Sequence, residues 1–414
     1  MKYHIWNKLS QEAIKTRVFK ALSENVNYKE ENVLGIPATY LDEKVFSQDE
    51  FFLKDAPYIS ALASNANHIG CHTLGTSEKY FQGTQAIERE LIEICAVDIL
   101  KAQPESIDGY VASGGTEANM QAVWVYRNYF VNEKNASLDE ICILTSDDSH
   151  YSVDKSANIL VLDVLKVAVD FETRDLSKAA LEETVVNAKK AGKKYFIVFS
   201  NMMTTMFGSV DTISTYTDVL DAHDCEYKLH VDGAYGGFYY PFVKGETAVN
   251  FSNPAVSSIT LDAHKMAQAP YGTGIFLIRK GLIDNVHTKE ASYVSGEDCT
   301  LIGSRSGANA IAVWMILVKN GPFGWQEKIY LLQKRAEWIC DELSQMGISY
   351  FRHKRSNIVT INSDFLDEEV AKEFGLVPDN HLNPKWFKIV IMEHVTIEKM
   401  IPLVERLREF QLQD

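Results

Sequence analysis

The middle of the chain alternates short apolar, β-branched runs with segments of helical spacing. Six such runs occur, at residues 110–112, 141–144, 195–199, 228–231, 258–261 and 274–278. Ile87, Leu91, Ile94 and Cys95, in contrast, repeat at the spacing of one helix face. Strands that alternate with helices predict an α/β fold, with a mostly parallel sheet covered by helices on both faces.

The two ends of the chain differ from the middle. Residues 1–65 combine polar helical stretches with glycine and proline breaks, which predicts an arm. After Gly321 the pattern indicates one long helix, strand-like runs at 358–361 and 387–391, and a closing helix near 396–410. We therefore predict an N-terminal arm over 1–65, a large domain over 66–320 and a small α+β domain over 321–414.

Composition and charge narrow the class of protein. Of the 414 residues, 46% are apolar and 23% are charged, which is typical of a folded globular protein. The 41 Lys and Arg residues against 56 Asp and Glu give a net charge of -15, which disfavours binding to nucleic acid or anionic membranes. There is no apolar run of the roughly 18 residues that span a membrane and no signal peptide. The six cysteines form no C-x-x-C pair, so we expect reduced thiols and a cytoplasmic protein.

A glycine-containing turn joins a predicted strand to a predicted helix at Ser113, Gly114, Gly115 and Thr116. Backbone N–H groups at such a turn, together with the helix dipole, favour a phosphate. An ordinary tight turn would use the same glycines, so this segment alone leaves both interpretations open.

Two further strand ends carry an acid and an amine. Asp232 follows the run at 228–231, at the sheet edge where α/β proteins bind ligands, although an aspartate before glycine also suits a turn. Lys265 follows the run at 258–261, where a desolvated amine can form a Schiff base. The alternative for an isolated lysine is a solvated surface position.

Together these segments match the needs of pyridoxal phosphate (PLP): an anion site, an acid for the pyridine nitrogen and an amine for the aldehyde. The chain carries the set S-G-G-T-E-A-N, D-x-S-H-Y-S-x-x-K, H-V-D-x-A-Y-G-G, D-A-H-K and G-S-R-S-G, and the resemblance based on it covers about residues 68–391. It resembles the group II PLP-dependent amino acid decarboxylases of fold type I, and the layout is similar to the shorter bacterial histidine decarboxylases. The resemblance implies a PLP cofactor, a fold type I large domain and a homodimer with shared active sites.

The resemblance also implies a role for each matching residue. Lys265 would bind the cofactor aldehyde, Asp232 would keep the pyridine nitrogen protonated, and Ala234 and His150 would contact opposite faces of the ring. The phosphate would be held by Ser113, Gly114, Gly115, Thr116 and His264.

Two more roles are implied for polar loops. The turn at 303–307, with Ser304, would complete the pocket of a neighbouring subunit. Tyr293 resembles the loop tyrosine that protonates the product carbon in relatives, and the alternative is an exposed loop aromatic.

One motif departs from the family pattern. Relatives carry Gly-Thr-Thr after the strand at 195–199, where a threonine hydroxyl meets the ring oxygen; here Met203 precedes Thr204 and Thr205. Together with Met202 and Met206, Met203 would make a bulkier wall. Either substrate preference has changed or the methionines fill the core, and we expect the core role.

His68, Cys71 and His72 have ligand-like spacing, yet no fourth ligand lies nearby, so we predict no metal site. Because the segment 65–72 aligns with the substrate entrance of the histidine decarboxylases, contact of the two histidines with substrate is the alternative.

The leading function is decarboxylation of an L-amino acid to an amine and carbon dioxide. A carbon–carbon lyase of the sphingosine phosphate lyase type is disfavoured by the lack of a membrane segment, and a silent scaffold by the presence of Lys265 and Asp232. Arg305, Arg352 and Arg355 all have structural alternatives to binding a substrate carboxylate. Aromatic, acidic and imidazole substrates therefore remain open.

Overall fold

The computed structural model describes residues 3–27, 31, 41–42, 44–46, 50–70, 77, 79–245, 248–288 and 298–411. The helices of this part are α1 (Gln11–Glu24), α2 (Pro57–Ser64), α3 (Gln82–Glu93), α4 (Gly115–Lys134), α5 (Ser152–Leu160), α6 (Lys178–Lys190), α7 (Ile213–Ala222), α8 (Gly307–Gln345), α9 (Glu368–Glu373) and α10 (Ile397–Gln411). The strands are β1 (Asn67–Ile69), β2 (Ile107–Ala112), β3 (Ile141–Ser146), β4 (Asp163–Val167), β5 (Tyr195–Asn201), β6 (Glu226–Gly233), β7 (Val256–Asp262), β8 (Gly274–Arg279), β9 (Ser304–Ser306), β10 (Tyr350–Phe351), β11 (Ile358–Asn362), β12 (Val377–Pro378) and β13 (Trp386–Val390).

Seven strands form the central sheet, in the order β2-β8-β7-β6-β5-β3-β4. Strand β8 is antiparallel to both of its neighbours, and the strands from β7 to β4 are parallel. The expected mostly parallel α/β sheet is confirmed. Strand β4 was not predicted, because this edge strand carries exposed Asp163 and Lys166 and shows no apolar run.

Helices cover both faces of the sheet. Along β5, Phe196 and Val198 belong to one apolar core cluster, while Ile197 and Phe199 belong to the other. This alternation follows from the two-residue repeat of a strand, whose successive side chains point to opposite faces. Both faces are buried, so the strand forms a continuous apolar run, as in other parallel sheets.

The register brings several strand ends to one edge of the sheet. Asn201 at the end of β5 pairs with Asp232 of β6, and Asp232 pairs with Thr260 of β7. Asp232 therefore lies within the last residues of its strand, where the sequence placed it just beyond the end. The turns after these parallel strands open at this edge, which is where α/β sheets bind ligands.

The amino-terminal helix α1 packs onto the main core. Ser10 caps it by accepting a hydrogen bond from the Ala13 N–H at 3.1 Å. Ile14, Val18 and Ala21 are buried at the spacing of one helix face.

The long helix expected after Gly321 also extends before it, as α8, and Gly321 forms a kink. A side chain there would meet Lys8, with 2.6 Å between the two Cβ positions, and φ is 65°, so glycine is required. Beyond the kink, four antiparallel strands in the order β10-β11-β13-β12 combine with α9 and α10. The division at 65 and 320 stays a prediction. No helix in the described part is long and apolar enough to cross a membrane.

Candidate active site

The turn at 113–116 forms the start of α4 and lies against three other segments. A Cβ on Gly115 would come within 2.9 Å of Asp262 Oδ2 and 3.2 Å of the Ala234 Cβ, and one on Gly114 within 3.7 Å of His264 Cε1. Gly115 thus lets the backbone approach Asp262 and Ala234 closely, whereas a side chain on Gly114 would make only an ordinary contact with His264. The N–H groups of the first turn of α4 have no partner within the helix, which makes this end suited to an anion.

Asp232 is buried and held by two donors. Its Oδ1 accepts the Ala234 N–H at 3.0 Å, and its Oδ2 accepts from Asn119 Nδ2 at 2.8 Å. Both carboxylate oxygens are therefore fixed in position before any ligand binds. A buried carboxylate in this setting is suited to a cationic partner.

Lys265 and His264 share one carboxylate. Oδ2 of Asp262 lies 3.2 Å from Lys265 Nζ and 3.4 Å from His264 Nε2. Burial raises the pKa of Asp262, and the charge of Lys265 opposes this shift. Oδ1 of Asp262 and Nδ1 of His264 are buried with no hydrogen-bond partner among the described residues. Unsatisfied polar atoms beside an anion turn indicate that this space receives a polar ligand.

His150 lies in the turn after β3, half-buried, and its Nδ1 accepts the Ser152 N–H at 3.2 Å. Burial lowers the pKa of His150, the charge of Asp232 raises it, and that of Lys265 lowers it. Burial and the charge of Lys265 also lower the pKa of Lys388. Residues far apart in sequence are thus brought within electrostatic reach of one another.

The arrangement fits PLP. The start of α4 and His264 would hold the phosphate, Asp232 would face the pyridine nitrogen, and Lys265 would supply the amine for the aldehyde. When bound, PLP supplies an electron sink for a breaking bond at the substrate Cα.

The methionine segment after β5 has a mainly structural role. Met203 has a φ of 71°, a left-handed conformation that suits the glycine expected there from the family pattern. Met202 and Met203 are buried in the main core, which confirms core filling, while Met206 lines a cleft of about 470 Å³ that reaches His150. The Thr204 hydroxyl lies 2.7 Å from the Ser209 hydroxyl, inside its own turn.

The remaining predicted residues fall in two groups. Ser304 begins β9, which pairs with β1, and it lines a cavity of about 120 Å³ together with Ser113 of the same chain. Tyr293, Cys71 and His72 lie outside the described residues.

His68 is fully buried, and its ring nitrogens bond to Glu88 at 2.5 Å and to Thr84 at 2.9 Å. Both ring nitrogens are therefore engaged inside the fold, where they hold β1 in place.

Sequence reasoning missed three residues of the site. Asn119 and Asp262 stand inside quoted motifs, S-G-G-T-E-A-N and D-A-H-K, so the motifs already contained that signal. Lys388 lies in β13 of the small sheet. The sequence around it predicts a strand but gives no signal that this lysine belongs to the site.

Comparison with known proteins decides the family. The model described as "Pyridoxal-dependent decarboxylase conserved domain" matches residues 85–357. The chain belongs to this family. It is a PLP-dependent decarboxylase that converts an L-amino acid to the amine and carbon dioxide, and the resemblance seen in the sequence is confirmed.

Several relatives are similar over most of this decarboxylase. A tryptophan decarboxylase of Clostridium sporogenes is 50% identical over 407 residues, covering 98% of this chain and 97% of that protein. A histidine decarboxylase of Vibrio anguillarum is 29% identical over 303 residues, covering 72% and 73%. The structure of L-methionine decarboxylase from Streptomyces sp. 590 superposes with a TM-score of 0.72 at 18% identity, covering 96% and 93%. The last comparison confirms the fold type I architecture.

Proposed function

We propose that this decarboxylase acts on an aromatic amino acid, with tryptophan as the first candidate. The observation that carries the proposal is the 50% identity to a tryptophan decarboxylase over nearly the whole of both chains. Identity at this level, without large gaps in coverage, favours a shared substrate class.

The arginines support an aromatic over an acidic substrate. Arg305 pairs with Glu88, Arg352 donates to the Ser356 carbonyl at 2.8 Å, and Arg355 donates to the Tyr240 hydroxyl. Each of these arginines therefore has a partner in the fold, although Nη2 of Arg352 is buried without a hydrogen-bond partner among the described residues. An acidic side chain that used Arg305 would have to break its buried ion pair with Glu88.

The same proposal assigns roles to the site residues. Lys265 holds the cofactor, Asp232 faces its ring nitrogen, His150 and Ala234 contact the ring faces, and Thr204 contacts the ring oxygen. The phosphate is assigned to Ser113, Gly114, Gly115, Thr116 and His264.

Lys388 adds a cation to the cleft that reaches His150. Its Nζ donates to the Thr205 carbonyl at 2.8 Å, and the residue is half-buried. We assign the substrate α-carboxylate to this ammonium group, because Lys388 lines the same cleft as His150 and an anion there would find a cationic partner.

A homodimer with shared active sites completes the proposal. Tyr293 would reach the partner's site to protonate the product carbon, and Ser304, at the start of β9, would complete the partner's pocket. The five described cysteines are free thiols, which supports a cytoplasmic protein.

The test of substrate is a panel of the twenty amino acids plus diaminobutyrate, assayed by carbon dioxide release and amine analysis. We expect the highest kcat/KM for tryptophan or another aromatic amino acid. A preference for aspartate or glutamate would contradict the proposal.

The shared active sites are tested by mixing two inactive variants, Lys265→Ala and Tyr293→Phe. We expect partial recovery of activity, because a mixed dimer would contain one site with both residues intact. An active monomer would contradict the dimer.

A further inference from the structure

One buried amide connects two of the proposed cofactor contacts. Asn119 Nδ2 donates to Asp232 Oδ2 at 2.8 Å and to the Ser152 hydroxyl at 2.9 Å. The same hydroxyl lies 2.9 Å from His150 Nδ1. Asn119 and Ser152 are buried, so water does not compete for these bonds. A shift of the amide would therefore move both the acid and the histidine.

The chemistry of the partners sets the direction of each hydrogen bond. A carboxylate can only accept, so the NH2 group of Asn119 must face Asp232 and its Oδ1 must face His230, whose Nε2 lies 3.0 Å away. His230 must then donate from Nε2. Its Nδ1 accepts from the Ser258 hydroxyl at 2.7 Å, and the Ser258 oxygen accepts from the Tyr126 hydroxyl. All these donors point toward the carboxylate.

His230 is suited to fixing this direction. Burial lowers its pKa to about 4, so the ring is neutral at neutral pH and carries a single N–H. Phe199 packs beside it, with 4.8 Å between the ring centroids. The Thr260 hydroxyl oxygen, 3.1 Å from Nε2, can accept from the same N–H. With Ser258 donating to Nδ1, one tautomer satisfies every partner.

We propose that Asn119 and His230 are positioning residues for the cofactor's ring nitrogen: His230 orients the Asn119 amide, and the amide holds Asp232 in place. The inference rests on the proposed role of Asp232 at the ring nitrogen. It predicts a defect that is specific to that nitrogen, because the hydrogen bonds found for this amide among the described residues go to Asp232, Ser152 and His230 and not to the phosphate turn or Lys265.

The test compares two ligands of the apoprotein: PLP and its 1-deaza analogue, in which carbon replaces the ring nitrogen. The measured quantity is the ratio of their dissociation constants. We expect the wild type to prefer PLP and Asp232→Asn to lose this preference. Asn119→Ala should reduce it by about tenfold or more, the effect of one lost hydrogen bond to a charged group.

The matched control is Gln121→Ala. Gln121 is also a buried amide on α4, but it donates to the Cys299 carbonyl at 2.7 Å and makes no contact with Asp232. This variant should keep the wild-type ratio. His230→Gln retains an N–H near the Nε2 position and should preserve most of the preference, whereas His230→Phe should lose it.

The outcomes distinguish the positioning role of Asn119 from the role of Asp232 at the ring nitrogen. If Asp232→Asn loses the preference but Asn119→Ala keeps it, the positioning role is wrong. If the wild type shows no preference, the role of Asp232 itself is wrong. Nitrogen-15 NMR of histidine-labelled wild-type apoprotein provides a test that needs no folded Asn119 variant. We expect His230 to be neutral with its proton on Nε2, and a proton on Nδ1 would overturn the inference.

Discussion

Arg305 Nη1 lies 2.6 Å from Glu88 Oε1 in the interior of the protein, and both side chains are almost fully buried. The same Glu88 oxygen accepts the Val111 N–H at 2.8 Å, and the other oxygen bonds to His68. Arg305 also donates to the Val111 carbonyl at 3.0 Å. The pair therefore fastens strands β1 and β9 onto the end of β2, next to the phosphate turn.

Removing the arginine should leave a buried carboxylate without its cation. We expect Arg305→Ala to lower the free energy of unfolding by about 3 kcal/mol, measured by urea denaturation. Arg406→Ala is the control, because that arginine forms a pair with Glu409 at the surface, and its loss should have a much smaller effect. Equal effects of the two substitutions would contradict the prediction.

Lys265→Ala should abolish the visible absorbance of the covalently bound cofactor. The amine that lies beside Asp262 is then absent, while the phosphate turn remains. Borohydride reduction followed by peptide mapping should identify Lys265 in the wild type. Lys388→Ala, which removes a neighbouring ammonium group, should retain the linkage. Trapping of the cofactor on a different lysine would show that the assignment is wrong.

Asp232→Asn keeps the shape of the acid and removes its charge. The pyridine nitrogen accepts electrons from the substrate best when it is protonated, and a nearby carboxylate favours that form. If this electrostatic effect contributes about 3 kcal/mol, turnover should fall at least roughly a hundredfold with saturating cofactor. A loss under about tenfold, or full rescue by added PLP, would indicate a role in binding or packing.

At position 203 we expect glycine to be a less destabilising replacement than alanine. Both substitutions remove a buried side chain, at a cost of about 2–5 kcal/mol, but glycine also relieves roughly 1 kcal/mol of strain at φ 71°. We expect Met203→Gly to be more stable than Met203→Ala in urea denaturation, and both to be less stable than the wild type. Buried Met202, whose φ is not positive, is the control, and there alanine should be the better replacement. The same order at both positions would contradict this account.

Asp211 should make stability depend on pH. Burial raises its pKa from an ordinary 3.8 to about 6, so the folded state binds this proton more tightly than the unfolded chain. The stabilisation, about 3 kcal/mol, is present at low pH and is lost as pH rises through about 4 to 6. His230, with its lowered pKa, contributes with the opposite sign.

The measurement compares the wild type with Asp211→Asn by urea denaturation between about pH 4 and pH 7. The advantage of the wild type over the variant should shrink by up to about 3 kcal/mol as pH rises, because the variant lacks the titrating group. The comparison with a variant cancels the His230 contribution. A difference that stays constant over this range would contradict the assignment.

The sequence alone determined the features that depend on residues close together along the chain. The apolar periodicity predicted six of the seven strands of the central sheet, because burial on both faces produces continuous apolar runs. The segments containing Gly114, Asp232 and Lys265 were recognisable because each motif is contiguous. Strand β4 was missed, since an edge strand with charged residues has no such signal.

Only the tertiary structure decided which distant side chains meet. His230 bonds to Asn119 across 111 positions of the chain, and Arg305 bonds to Glu88 across 217. Lys388 approaches the site from another sheet, and the left-handed backbone explains what glycine does at position 203 in relatives. Local pattern specifies the period and the turns of each element, whereas contacts between elements depend on strand register and helix packing, which no short stretch of sequence encodes.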